Sequence, residues 1–125
     1  RRRVHQGAMS PGMKSILTVK PLLLLAAVAA ILNGALWAIV VLTFPRDAPA
    51  AVLHYSVGVG IDFIGEGSQV MALPGIGLAI LLVDVILAAI VKGTNTISSW
   101  IFISSAVLAQ VLLLIAYGHI FSLNL

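Results

Sequence analysis

The chain has 125 residues, 61% of them hydrophobic and 9% charged, with a formal net charge of +3, no cysteine and a mean hydropathy of +1.15. Soluble domains carry about 25% charged residues, so this chain cannot clothe a water-facing surface and points to the lipid bilayer as its solvent. The missing cysteines exclude a disulfide framework, a thiolate nucleophile and a cysteine metal site, and the basic residues form no stripe interleaved with aromatics, which speaks against a nucleic-acid partner.

Taken in chain order, the first feature is a basic tail, residues 1–20, holding five of the seven basic residues: Arg1, Arg2, Arg3, Lys14 and Lys20. Met9 and Met13 are both available as native starts, so Arg1 to Gly12 is read as an artificial or misassigned extension, disordered in solution. Pro21 to Phe44 follows without a charge. Its 24 residues would reach about 36 Å as a helix, against a hydrocarbon core of about 30 Å. The Ala48-Pro49-Ala50 run resembles a signal-peptide cleavage site, but the apolar stretch before it far exceeds an h-region of about 7 to 15 residues, which favours an uncleaved span.

Between the first and second apolar runs, residues 45–69 include Leu53 to Gly67, LHYSVGVGIDFIGEG. Its glycines at 58, 60 and 65 miss the G-x-G-x-x-G spacing of a dinucleotide fingerprint, no Gly-Lys-Ser/Thr follows, and Asp62 and Glu66 would repel phosphate. Parity gives a better account. Leu53, Tyr55, Val57, Val59, Ile61 and Phe63 are apolar, whereas His54, Ser56, Gly58, Gly60 and Asp62 are polar or glycine. A period of two predicts a β-hairpin bent at Gly58 to Gly60, with the His54 arm paired to the Asp62 arm and the apolar face against the membrane surface or the helix ends. Gly65, Gly67 and Ser68 are expected to loosen the chain beyond it.

The order Pro49, His54, Tyr55, Gly60, Asp62, Gly65 resembles a small bacterial membrane domain of unknown function that also occurs in immunity proteins against secreted killing peptides of the Sdp type. The likeness covers residues 44–89. Where that family carries Asn after the His-aromatic pair, this chain has Ser56. The resemblance implies a bacterial envelope protein without known enzymatic activity.

Val70 to Val91 gives a second run of 22 residues with one charge, Asp84, and Ser98 to Phe121 a third of 24 with none. By the same rise per residue they reach about 33 and 36 Å. A span must satisfy its own backbone polar groups, so all three are expected to be helices, with bends permitted at Asn33-Gly34 and Pro74-Gly75. The fold class is therefore an all-α, multi-pass integral membrane protein: three transmembrane helices (21–44, 70–91, 98–121) in one domain over 21–125, and a small extracytoplasmic β-hairpin. The basic tail places the N-terminus in the cytoplasm and the C-terminus outside, and the resemblance implies that the membrane is the inner membrane of a bacterium.

Polar groups inside spans are the candidate sites. An ionised aspartate near a helix centre costs about 2.5 to 3.5 kcal/mol on insertion scales, so Asp84 requires a partner or a bound proton. Counted from the span ends, Asn33 and Gln110 lie at about 18 Å and Asp84 at about 10 Å. The two amides can meet, and Asp84 can join them through tilt, a bend at Pro74 or a water. Asn33, Asp84 and Gln110 are accordingly read as interhelical hydrogen-bond glue, ahead of a proton or cation relay at Asp84 in a small ion-coupled transporter or channel protomer. Ala26, Ala30, Gly34 and Ala38 recur every fourth residue as a small-residue packing ridge for the bundle or a partner subunit; Gly75 with Ala79, and Ser105 with Ala109, repeat the spacing once.

His54 and His119 fall near the outer face, where a haem or, with Asp62, a metal would make the chain a cofactor-holding subunit of a redox complex. Their spacing carries no motif, and no metal or cofactor is expected. Trp37, Tyr55, Trp100, Tyr117 and Phe121 read as interface anchors and bundle packing. Ser104, Ser105 and Thr43 lack a histidine at a recognisable spacing, and no enzyme is expected. The sequence reading is thus an interaction, accessory or immunity-like membrane component, with a protein partner or a second copy of itself.

Overall fold

A computed structural model describes residues 10–125, the side chains of 14–18 excepted. Helix α1 (Pro11–Thr43) leads into a two-stranded antiparallel sheet, β1 (Ala51–Ser56) and β2 (Gly60–Gly65). A 3-10 turn over Gly67–Met71 runs into α2 (Ala72–Val91), and α3 (Thr96–Leu123) closes the chain. Three segments, Val19–Thr43, Gly67–Val91 and Thr96–Leu123, are long and apolar enough to cross a membrane. The molecule is a three-helix bundle with a hairpin at one end.

The helix limits follow from local chemistry, and at the N-terminus they correct the sequence reading. The segment expected as a disordered tail is helical from Pro11, because Ser10 accepts the Met13 N–H and Pro11 occupies the first turn, where its missing N–H costs nothing. Arg1, Arg2, Arg3 and Met9 lie outside the described residues. Pro21, expected at a helix start, stands inside α1; it removes one backbone hydrogen bond and the helix continues through it. Pro74 lies in the first turn of α2, where no such loss arises. Asn95 caps α3 by accepting the Ser98 N–H at 3.1 Å, and the Lys92–Asn95 link is held by Thr94 and Asn95 N–H groups donating to the Val91 carbonyl.

Seven- and eleven-residue steps set the packing. Leu22, Ala29, Asn33, Leu36 and Val40 of α1, Pro74, Gly77, Leu81, Asp84 and Ala88 of α2, and Ser99, Ile103, Ala106, Gln110 and Tyr117 of α3 are buried, each set on one helix face. At the hairpin end, Leu36, Val40, Phe44, Ala51, Val70 and Tyr117 form one cluster. Farther along the axis come a layer of Ala29, Leu81 and Ala106, and then one of Leu22, Ala88 and Ile103 with Trp100 against it.

The hairpin is fastened to this bundle rather than hanging from it. Gly67, expected to loosen the chain, is buried: its N–H donates to the Ala48 carbonyl at 3.0 Å, and a Cβ there would strike the Pro45 carbonyl oxygen. Only glycine allows two connector strands this close. Asn124, just past α3, is a second fastener. Its side-chain amide accepts from the Val52 N–H and donates to the Val52 carbonyl, both at 2.8 Å, and donates to the Ile120 carbonyl at 2.8 Å. One carboxamide thereby supplies the donor and acceptor that a neighbouring strand would offer to the β1 edge.

Candidate functional site

Three groups of polar side chains stand out, and the structure treats each differently. The first joins all three helices. Asn33 of α1 donates through Nδ2 to the Pro74 carbonyl of α2 at 3.1 Å and to Oε1 of Gln110 of α3 at 3.0 Å, while Gln110 Nε2 donates to the Gly77 carbonyl of α2 at 2.8 Å. Asn33 is 4% exposed and Gln110 fully buried. The pair needs a glycine on α2, since a Cβ at Gly77 would lie 2.7 Å from both Asn33 Nδ2 and Gln110 Oε1 and 2.9 Å from Leu113. Gly77 is a residue that the sequence reading passed over; its signal is its place one helical turn after Pro74, on the face that Gln110 must approach.

Asp84 does not belong to this knot, against the expectation that it would. The Gly77–Gln110 hydrogen bond and the one from Ser99 Oγ to the Ala88 carbonyl at 2.9 Å fix one antiparallel register between α2 and α3. In that register Asp84 stands level with Ile103, and the Asn33–Gln110 bond puts Ala26 of α1 at the same height. Asp84 lies seven residues from Gly77, about 10 Å along the axis, with the apolar layer of Ala29, Leu81 and Ala106 between. It is 9% exposed and its Oδ2 has no hydrogen-bond partner. Rotation decides this as much as depth: the residues level with Asp84 offer methyl groups, not amides.

The small-residue ridge divides. Ala26 packs against the cluster of Leu22, Ala88 and Ile103, but Ala30, Gly34 and Ala38 are exposed on the outer surface of the bundle. A Cβ at Gly34 would meet nothing within 4 Å. Three of the four therefore do not serve internal packing, because the buried face of α1 is the one holding Ala29, Asn33 and Leu36. Ala79 and Ser105 are exposed as well.

The third group is on the hairpin. Ala51↔Gly65, Val52↔Ile64, Tyr55↔Ile61 and Ser56↔Gly60 share one register, interrupted where His54 pairs with Phe63. Gly58 and Gly60 have φ of +93° and +92°, and the Val59 N–H donates to the Ser56 carbonyl, so the two glycines make the turn. On the polar face, Asp62 Oδ1 lies 2.6 Å from His54 Nδ1, and Asp62 Oδ2 accepts from Ser56 Oγ at 2.5 Å. The hydrogen bond from Ser56, and then that from His54, holds the Asp62 carboxyl below the ordinary carboxylate range. Both bonds end on the carboxylate, so Ser56 and His54 are not joined as nucleophile and base.

On the opposite face Leu53 packs against the hairpin-end cluster and Tyr55 meets His119 edge-on with ring centroids 6.3 Å apart. His54 and His119 thus address opposite faces of β1 and do not converge. Among the described residues no three His, Cys, Asp or Glu side chains come together in a way that could hold a metal ion. Thr43 bonds to the Ile39 carbonyl and to the Tyr117 hydroxyl, 2.6 Å away, and Tyr117 is buried between Phe44 and Phe121. Compared with protein-family models, curated proteins and solved structures, the chain matches none.

Proposed function

We propose that the chain is a non-catalytic interaction protein of a bacterial inner membrane, accessory or immunity-like, that meets a membrane-protein partner through its hairpin on the outer side, with its N-terminus in the cytoplasm. The observation that carries this reading is the contrast within the hairpin. Its base is fixed by Asn124, Gly67 and Leu53, while Val57 and Val59 at the tip are 96% and 78% exposed and Ile61, Phe63 and Ile64 more than half exposed. A strand pair held rigidly at one end, with apolar side chains projected at the other, loses little entropy on binding and has apolar area to bury. The resemblance over residues 44–89 to a domain found in immunity proteins supports the same reading.

These 125 residues hold no cysteine, so single cysteines introduced in them report without background. In intact cells a Val59→Cys variant reacts with a membrane-impermeant maleimide; protection until the cells are opened would overturn the orientation. A Val57→Glu/Val59→Glu variant keeps the thermal stability of the parent and loses the protein that co-purifies with it from native membranes. An unchanged co-purification pattern would overturn the hairpin as the contact.

A further inference from the structure

We propose that a cleft beside the hairpin base binds a phosphoethanolamine group, the headgroup of a zwitterionic membrane lipid, with Arg46 on its phosphate and Asp47 and Glu66 on its primary ammonium. The cleft, about 400 Å³, is lined by Arg46, Asp47, Ala48, Pro49, Glu66 and Ser68. That is within the range of about 300 to 1,000 Å³ usual for small-molecule sites. The backbone that carries these side chains is fixed, because the Ala48 N–H donates to the Pro45 carbonyl at 3.2 Å and the Ala48 carbonyl accepts the Gly67 N–H at 3.0 Å. Arg46 comes just after α1 ends at Thr43, and Glu66 immediately precedes the second long apolar segment, which begins at Gly67. With those segments across a bilayer, both ends of the connector stand in the headgroup layer, about 5 to 7 Å deep outside the hydrocarbon.

Both signs of charge line this one cleft without neutralising each other. Among the described residues the one ion pair is His54–Asp62, so Arg46, Asp47 and Glu66 form none, and Glu66 receives only a long hydrogen bond from Ser68 Oγ at 3.4 Å. An anion alone would meet two carboxylates, and a cation alone would meet the guanidinium. A zwitterion satisfies both, its phosphate oxygens matching the planar fork of an arginine. The walls also select the kind of ammonium. Quaternary ammonium groups are held by aromatic faces, and no aromatic ring lines the cleft. A primary ammonium instead brings three N–H donors, for which the cleft offers two carboxylates and the Ser68 hydroxyl as acceptors.

The site rests on the membrane placement in the reading above and not on the contact made by the hairpin tip. The test titrates the full chain, in non-ionic detergent micelles, with short-chain phosphatidylethanolamine, phosphatidylcholine and phosphatidylglycerol, following the backbone amide signals of Arg46, Asp47 and Ser68 by NMR. The ethanolamine lipid shifts them saturably and binds about fivefold more tightly than either of the others. Arg46→Gln weakens the ethanolamine and choline lipids alike, whereas Asp47→Asn/Glu66→Gln brings the ethanolamine lipid down to the level of the choline lipid. Val57→Glu/Val59→Glu leaves the preference as it is. Equal affinity of the parent for the ethanolamine and choline lipids, or a preference that survives in Asp47→Asn/Glu66→Gln, overturns the site. Tightest binding of phosphatidylglycerol overturns the zwitterion, and soluble glycerophosphoethanolamine competing as well as the lipid overturns the lipid as carrier of the group. A chain that stays monomeric and folded in buffer without detergent would overturn the membrane reading instead.

Discussion

The layer holding Asn33 and Gln110 and the layer holding Asp84 lie two turns apart on the same face of α2, and what differs is the company each keeps. In the first, two carboxamides and two backbone carbonyls exchange three hydrogen bonds across all three helices, with Gly77 giving them room. In the second, a carboxyl faces the heights of Ala26 and Ile103 and one of its oxygens goes without a partner. A buried polar group that is bonded fixes the register of the helices; one that is not bonded weakens the bundle. The sign of a substitution's effect separates the two cases.

The largest expected effect comes from the glycine. Gly77→Val pushes a branched side chain into both amides and should cost about 3 kcal/mol, overpacking and lost interhelical hydrogen bonds combined. Reversible unfolding in mixed micelles measures it. An effect under about 1 kcal/mol would mean that the knot yields easily and does not set the helix spacing.

Next comes the reversal. Asp84→Leu replaces an unpaired buried carboxyl with a side chain of similar size and should stabilise the bundle by about 2 kcal/mol in the same unfolding measurement. Gln110→Leu, equally apolar, should destabilise it by about 1 kcal/mol, since it removes the bonds to Asn33 and to the Gly77 carbonyl and leaves Asn33 with the Pro74 carbonyl alone. Were both substitutions to move stability in the same direction, the distinction between the two layers would be lost. The comparison can also be sharpened by building a donor where the register says one is missing: Ala26→Asn places an amide level with Asp84 and should recover about 0.6 kcal/mol.

Much of this was legible in the sequence, and the exceptions share a cause. The three helices long and apolar enough to cross a membrane follow from apolar length alone, and the hairpin from a period of two that begins at Leu53 and turns at two glycines. The meeting of Asn33 with Gln110 follows from counting, because both lie twelve residues from the start of their charge-free runs. Depth is one coordinate, though, and helix rotation is the other. In an alanine-rich chain the sequence does not say which face of α1 turns inward, so the spacing of Ala30, Gly34 and Ala38 suits the bundle or a partner subunit equally, while the buried face is Ala29, Asn33 and Leu36. The same gap hid Asp84's isolation. Asn124 was missed because its partner, Val52, is 72 residues away, and only the fold brings the end of α3 beside β1. A Ser-Pro pair at 10–11 marked the true start of α1, masked by Pro21, which reads as a boundary in sequence.

The hairpin supplies a third case, polar groups bonded on the surface rather than in the bundle interior, and its responses should be local. Asn124→Ala removes three hydrogen bonds at once. Because these bonds fasten the hairpin and not the helices to one another, amide exchange at Val52 should rise about tenfold while the bundle's unfolding midpoint hardly moves. Comparable loosening throughout α3 would show that the clamp supports the helix end as well.

The smallest effect is the response of the hairpin to acid. Asp62 joins His54 and Ser56 through its carboxylate, and these bonds hold its carboxyl below the ordinary value of 3.8. A carboxyl depressed in the folded state favours folding when ionised, so its contribution is present above that ordinary value and is lost as pH falls through the lower, folded one. Backbone amide signals of Ser56 and Asp62, followed by NMR from about pH 6 to about pH 2, should therefore hold steady until the acid end and then shift toward those of a freer strand pair. Asp62→Asn should show the freer signals throughout, with no acid step. A step that survives in Asp62→Asn belongs to another carboxyl, with Glu66 and Asp47 the two that share this end of the molecule, and would leave the His54–Asp62–Ser56 bonds without a part in ordering the hairpin.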